Sequence, residues 1–238
     1  MQFRNSLLSA MTKRDVADLF PAMREVSLSA GQVLCEQGRL TELVYFPASA
    51  VISVVTAMED GREVETASIG NEGVAGLLSA LTDVPPRTRM YVQIPGAAIS
   101  LPASRLRAQA IESVPFAQLV LRSAQANAAQ TEQSAACNAL HHLPARLARW
   151  LLICQDRVDS PVMTLTQDYM GVMAGALRSS ISLTASEFKE AGLIRYSRGQ
   201  LEILDRRGLE KRACECYRAD RANRESLLFG DYHGVANN

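Results

Sequence analysis

Residues 165–194 constrain this chain most, because they have room for two short helices and one tight turn between them. Thr166 is a good helix N-cap, and Tyr169, Met170 and Met173 give the first helix an apolar face. Gly175 then supplies a left-handed turn at no steric cost. Helical spacing resumes at Arg178 and runs to Glu190, with Ile181, Thr184, Ala185 and Phe188 on one face. Gly171, four residues before the turn, is small enough for the two helices to touch; Ile181, six after it, can plug the space between them. A helix-turn-helix demands this spacing. The second helix opens with Arg178, Ser179, Ser180 and Ser182, short or basic groups suited to base edges and phosphates. An ordinary helical hairpin in a core shares the apolar spacing, so the flanking sequence has to decide.

Downstream, Gly192 reads as the left-handed cap of the second helix. Residues 193–195 and 201–204 then flank the turn Ser197-Arg198-Gly199-Gln200, a small hairpin of the kind that forms the wing of a winged helix, with Arg198 at its tip. Residues 146–154 form a strongly apolar helix ahead of the pair. Residues 208–228 read as helical again, and 231–238 as a frayed end.

The first half has a different texture. Residues 6–24 read as short helices, with Ser6 and Thr12 as caps and Asp15 completing a capping-box-like pair with Thr12. Between residues 26 and 101, short apolar runs at 33–34, 44–46, 51–55, 64–69 and 90–94 are separated by Gly and Pro turn signals. Asp60-Gly61 is a hairpin cue, and the spacing as a whole predicts a small barrel or jelly roll. Residues 71–81 predict a helix entered through glycines, whose free amides can hold an anion, with Arg87 and Arg89 nearby.

Residues 103–112 predict a short helix and 115–141 a long one. On the long helix Phe116, Leu119, Val120, Ser123, Ala126, Gln130, Ser134 and Cys137 sketch a stripe that becomes smaller and more polar. Alanine-rich uncharged helices of this length rarely survive alone in water. The stripe therefore predicts a parallel dimer seam, with packing against the chain's own barrel as the alternative.

The formal net charge is zero, which argues against indiscriminate polyanion binding, but the charge is unevenly spread. Residues 1–113 carry 10 basic and 12 acidic side chains, whereas 145–212 carry 11 and 8. The later portion is mildly basic, which permits nucleic-acid contact. No apolar run approaches bilayer-crossing length, and residues 1–15 have no long apolar stretch of the secretory type. Five cysteines, an odd number, predict reduced thiols in the cytoplasm. Cys214 and Cys216, two apart in a predicted terminal helix, point to different faces and read as small buried hydrophobes; His141-His142 read as a helix-end dipole contact. No metal set, catalytic group or cofactor is evident, with no paired carboxylates and no nucleophile–base motif.

Taken in order, GQVLCEQG (31–38), YFPASAVISVV (45–55), IGNEG (69–73), RLARWLL (146–152), LTQDYMGVMAGALRSSIS (165–182) and AGLIRYSRGQLEILD (191–205) resemble the cyclic-AMP-receptor/fumarate-nitrate-regulator (CRP/FNR) family over about residues 25–212. The resemblance implies an α+β chain: an N-terminal cyclic-nucleotide-binding-like β-barrel (double-stranded jelly roll), a long dimerisation helix and a C-terminal winged helix-turn-helix. The implied boundaries are 1–113 for the sensor domain, 114–143 for the dimerisation helix, 144–212 for the DNA-binding domain and 213–238 for a helical tail. It also implies a bacterial, cytoplasmic homodimer that regulates transcription on double-stranded DNA, with RNA polymerase as a further partner, and no membrane.

The resemblance carries over residue by residue. Arg178 matches the arginine that opens the family's recognition helix, where a bidentate fork to guanine is worth about 1–3 kcal/mol of discrimination. Thr166, Gln167, Ser179, Ser180 and Ser182 are further candidate DNA contacts, and Arg198 a wing–phosphate contact. Ser179 and Leu183 stand where the cyclic-AMP receptor has a glutamate and an arginine, so the target sequence differs. A two-fold dimer implies a pseudo-palindrome with half-sites about 10–10.5 bp apart. In the barrel, Gly76-Leu77 falls where nucleotide-binding members carry Gly-Glu, Arg89 or Arg87 falls near the phosphate arginine, and Thr131 near the residue that reads the base. Leucine cannot accept a hydrogen bond from a ribose hydroxyl, and burying that hydroxyl unpaired costs roughly 1–3 kcal/mol. The implied effector is therefore unknown, with cyclic AMP or cyclic GMP in a non-standard pocket as an alternative. A protein-interaction barrel with a vestigial helix-turn-helix is a remoter one.

Overall fold

The computed structural model describes residues 3–158 and 160–229, the last three by their backbone alone. The frayed end expected over 231–238 lies outside the described residues. Helices α1 (Ser6–Ser9) and α2 (Lys13–Leu19) and a 3-10 turn at Phe20–Ala22 come first. Thr12 caps α2, its Oγ1 accepting from the Asp15 amide at 3.1 Å and donating to the Asp15 carboxylate at 2.6 Å. The cap of α1 is Asn5, not Ser6. Its Oδ1 accepts from the Leu8 amide, and its Nδ2 donates to the carbonyls of Pro47 and Gly73 at 2.9 Å. A serine hydroxyl could cap the helix but could not also tie it to the barrel.

Among the described residues, seven strands build the barrel: β1 (Arg24–Leu28), β2 (Val33–Cys35), β3 (Leu43–Pro47), β4 (Val51–Ala57), β5 (Glu63–Ile69), β6 (Arg89–Ile94) and β7 (Gly96–Pro102). They form two antiparallel sheets, ordered β1-β7-β3 and β2-β6-β4-β5. β1 and β7 go beyond the sequence expectation. β1 starts on Arg24 and Glu25, and β7 contains glycine, alanines and proline, so neither has strong strand propensity. They are strands because they pair with each other from Arg24↔Ser100 to Leu28↔Gly96. The β4–β5 hairpin turns at Asp60-Gly61, where Gly61 has φ +83°.

The helix expected over 71–81 begins only at Leu77 (α3, Leu77–Thr82). Ahead of it Ala75 is bridged to Tyr45, exchanging backbone hydrogen bonds of 2.8 and 3.1 Å, so the glycine-rich segment lies against β3 instead of coiling. Helix α4 (Ala103–Glu112) leads to α5 (Val114–Leu140), about 40 Å long.

The stripe predicted as a dimer seam on α5 faces the chain itself. Phe116 and Val120 join the core beneath the barrel, Gln130 accepts from the Ser68 amide at 2.9 Å, and Ser134 and Cys137 are covered by the second domain. The polar drift along the stripe follows from this change of neighbours. Exposed instead are Val114, Leu121, Ala128 and Ala135, spaced by seven.

The second domain contains α6 (Leu143–Gln155), β8 (Val162–Thr164), α7 (Gln167–Ala174), α8 (Arg178–Glu190), β9 (Ile194–Ser197), β10 (Gln200–Ile203), α9 (Arg206–Arg212) and α10 (Cys216–Phe229). β8 adds a third strand to the expected hairpin, in the order β8-β10-β9. The terminal helix expected over 208–228 is broken. α9 stops at Arg212, Ala213 is extended, and α10 restarts at Cys216 and lies along α5. Cys214 and Cys216 therefore do not sit on one helix, and their thiols converge instead of pointing to different faces. No helix among the described residues is long and apolar enough to cross a membrane.

Candidate nucleic-acid interface and barrel pocket

The helix pair has the geometry its spacing predicts. Thr166 Oγ1 accepts from the Tyr169 amide at 3.2 Å, and Gly175 turns the chain with φ +57°. A Cβ on Gly171 would stand 3.0 Å from the Ala176 carbonyl oxygen, so any side chain here would push the chain after the turn back by a few tenths of an ångström. Met170, Met173, Ile181, Ala185 and Phe188 are buried together with Trp150. Gly192, at φ +70°, ends α8, where the Leu193 amide reaches back to the Phe188 carbonyl at 2.9 Å.

With its inner face buried, α8 presents Arg178, Ser179, Leu183, Ser186 and Glu187 to solvent. Arg178 lies 3.4 Å from the Asp168 carboxylate, a contact between two exposed side chains. Ser180 is half-buried and its carbonyl accepts from Thr184 Oγ1. Ser182 is turned toward the first helix, where Gln167 Nε2 donates to it at 3.4 Å. Thr166 and Gln167 thus brace the motif, and Thr166 is also exposed. Ser186 was not singled out from the sequence; its place three residues after Leu183 was the available signal. Arg198 occupies the tip of the β9–β10 turn with φ +50° beside Gly199 at +76°, and its side chain is exposed.

The barrel encloses a cavity of about 350 Å³ between β4–β6, α3 and α5. Gly76, Leu77, Arg87 and Thr131 all line it, from three separate stretches of the chain. Gly76, at φ +84°, has no room for a Cβ, which would stand 2.7 Å from Thr41 Cγ2. Leu77 is buried and apolar at the entrance to α3. Arg89 is not with them. Its neighbour Met90 lines the cavity, and strand alternation turns Arg89 to the other face, where it meets Glu36 at 3.5 Å and Glu63 at 3.4 Å. Arg87 is the arginine in the cavity.

Between barrel and helix-turn-helix lies a buried layer of charge. Arg157, 3% exposed, pairs with Glu72 and donates to Ser68 Oγ, both at 2.5 Å. Burial would raise the Glu72 carboxyl, but Arg157 and Arg224 outweigh it and hold it below its usual range. Glu65 is fully buried beside Ser53 and Gln93; burial pushes it up to about 7, against Ser53 and the fields of Arg157 and Arg149. Arg149, fully buried, pairs with Asp220 at 2.5 Å and lies over the Trp150 ring. Tyr91 of the barrel stacks on Tyr169 of α7, centroids 5.8 Å apart. Sequence reading missed this layer, because its members are spread from Ser53 to Arg224.

Residues 25–112 match the cyclic nucleotide-binding domain family and 145–212 the Crp-like helix-turn-helix domain family. A CRP-like cAMP-activated global transcriptional regulator of Mycobacterium tuberculosis is 23% identical over 218 residues, spanning 88% of this chain and 97% of the relative. FixK2 from Bradyrhizobium japonicum has the same fold, with a TM-score of 0.69 at 18% identity over 81% of this chain and 98% of its own. So does CLP, a c-di-GMP responsive global regulator of Xanthomonas campestris, with a TM-score of 0.62 at 13% identity over 82% of this chain and all of the other. With one family matched across the barrel and the other across the winged motif, this chain belongs to the CRP/FNR family of bacterial transcription regulators.

Proposed function

We propose that the chain works as a homodimer that binds a pseudo-palindromic DNA site with α8 in the major groove. The observation that carries this reading is the open face of α8, whose helix packs against β9 of the hairpin that carries the exposed tip Arg198. Arg178 leaves Asp168 to engage a guanine, Ser179 and Ser180 contact base or phosphate, and Leu183 packs on a thymine methyl. Residues 1–113 act as sensor, 114–143 as dimerisation helix, 144–212 as DNA-binding domain and 213–238 as tail. RNA polymerase is the partner at the promoter. The dimer seam runs along Val114, Leu121, Ala128 and Ala135, supported by their exposure and heptad spacing. Because Ala128 of this seam also lines the cavity, an effector bound there would touch the seam and couple to it.

Mobility-shift measurements on a site selected from random DNA test the output. Arg178→Ala should weaken binding by about 1–3 kcal/mol and relax one base position; unchanged binding would mean a vestigial motif. Leu121→Glu should give a monomer in sedimentation and abolish binding to the full palindrome.

The effector differs from ordinary cyclic AMP, because Leu77 offers no acceptor where a ribose hydroxyl would be buried. The nucleotide alternative draws support from Arg87 and Thr131, which share the cavity. Calorimetry with cyclic AMP and cyclic GMP separates the two, and saturable micromolar binding of either would replace the reading given first.

A further inference from the structure

Four metal-type donors that are far apart in sequence converge at the end of the long helix. Cys137 lies on the last turns of α5, and His141, one turn further on, is the residue that ends it. Cys214 and Cys216 come from the break between α9 and α10. The three sulfurs and the imidazole nitrogen all lie within 4.8 Å of one another. Cys137 Sγ is 3.5 Å from Cys214 Sγ, and His141 Nδ1 is 3.6 Å from Cys216 Sγ. Zinc bonds of about 2.3 Å to sulfur and 2.0–2.1 Å to nitrogen give tetrahedral edges of about 3.8 Å and 3.6 Å. Spacings this short suit one ion; a cluster of several irons needs its thiolates further apart.

The surroundings are those of ligands and not only of small buried side chains. His141 Nε2 is 3.2 Å from the Glu215 carboxylate, which fixes that nitrogen as the protonated one and leaves the Nδ1 lone pair facing the thiols. Gln133 Nε2 donates to Cys216 Sγ at 3.0 Å. Three thiolates and a divalent cation leave one negative charge, and the buried Arg149 guanidinium is bound to Ser134, one turn from Cys137.

We propose that Cys137, His141, Cys214 and Cys216 form a closed tetrahedral site for a thiophilic divalent cation of the zinc class. Four protein ligands leave no open position, so the site is structural. It staples the start of α10 to the end of α5, across the hinge where the long helix gives way to the DNA-binding domain. α10 also carries Asp220, the partner of Arg149, and Arg224, which reaches 4.0 Å from Glu72. The metal thereby sets the helix that links the DNA-binding domain to the barrel.

The test uses the full-length reduced protein, stripped with chelator and titrated with Co²⁺ followed by Zn²⁺. The expected result is one Co²⁺ per chain, with the visible bands of tetrahedral cobalt and a sulfur-to-cobalt charge-transfer band that zinc removes. Cys35→Ser should leave the spectrum unchanged, and Cys214→Ser should diminish the charge-transfer band. Glu215→Ala, a change at an exposed site, should weaken zinc about 10–100-fold without altering the ligand count. No stoichiometric binding, a six-coordinate spectrum, or a spectrum indifferent to Cys214→Ser would overturn the proposal. So would isolation of a Cys137–Cys214 disulfide that binds no metal after reduction. Because the wild-type spectrum itself reports geometry and thiolate ligation, a variant that fails to fold does not blunt the test. Neither result bears on DNA binding through α8.

Discussion

Ile181 and Arg157 are both almost wholly buried, one between the helices of the DNA-reading motif and the other where that motif's domain meets the barrel. Ile181 belongs to an apolar cluster drawn mostly from residues 147–217, Trp150 among them. Arg157 is held by Glu72 and Ser68, and by the field it shares with Glu65, all from the other domain. Apolar packing carries no titratable group, so the core of the helix pair does not respond to ordinary changes of pH. A buried charge layer keeps its stability only while every partner is present. The junction between the barrel and α6 and α10 therefore depends on its charge pairing.

Removing one charge should break this contrast most visibly. Arg157→Met leaves Glu72 and Glu65 buried without their main cation, and should cost about 3–5 kcal/mol in urea unfolding followed by the fluorescence of Trp150, the single tryptophan. A cost below 1 kcal/mol would show that water reaches the layer. Ile181→Ala should cost roughly 2–5 kcal/mol, with a loss insensitive to pH and salt.

Titration separates the two regions, because only the junction holds a carboxyl whose proton is retained toward neutrality. The native Glu65 carboxyl keeps its proton up to about 7, whereas in the unfolded chain it loses it near 4.5. The folded state thus binds more protons between these values, and this group's contribution falls as pH rises through the window. Glu65→Gln should remove that slope: nearly neutral at pH 4, it should gain on the wild type by on the order of 3 kcal/mol above pH 8. A constant difference across the range would place the proton elsewhere. The smallest effect is local. Thr166→Ala removes the cap of α7 and should cost about 1 kcal/mol, with the junction untouched.

Legibility in the sequence followed the distance between partners. Thr166, Gly171, Gly175, Ile181 and Gly192 were readable because each acts within a turn or two of itself, through capping, a left-handed φ or helical spacing. The five apolar strands were readable for the same reason. β1 and β7 were not, since their strand character comes from pairing with each other across some seventy residues. The choice between Arg87, in the turn before β6, and Arg89, on the face of β6 turned from the cavity, depended on how that strand packs, and the α5 stripe on which neighbour covered it. Neither choice is encoded locally.

The sequence by itself determined the order of barrel, long helix and winged motif, and the face of α8 that stays open, because periodicity and turn chemistry are local properties. Only the tertiary structure decided that Arg87 shares the cavity with Gly76 and Leu77, that Arg157 lies buried against Glu72, and that a break at Ala213–Glu215 brings Cys214 and Cys216 to Cys137 and His141. Those arrangements depend on close approaches between residues remote in the chain, and no periodicity records an approach that packing alone creates.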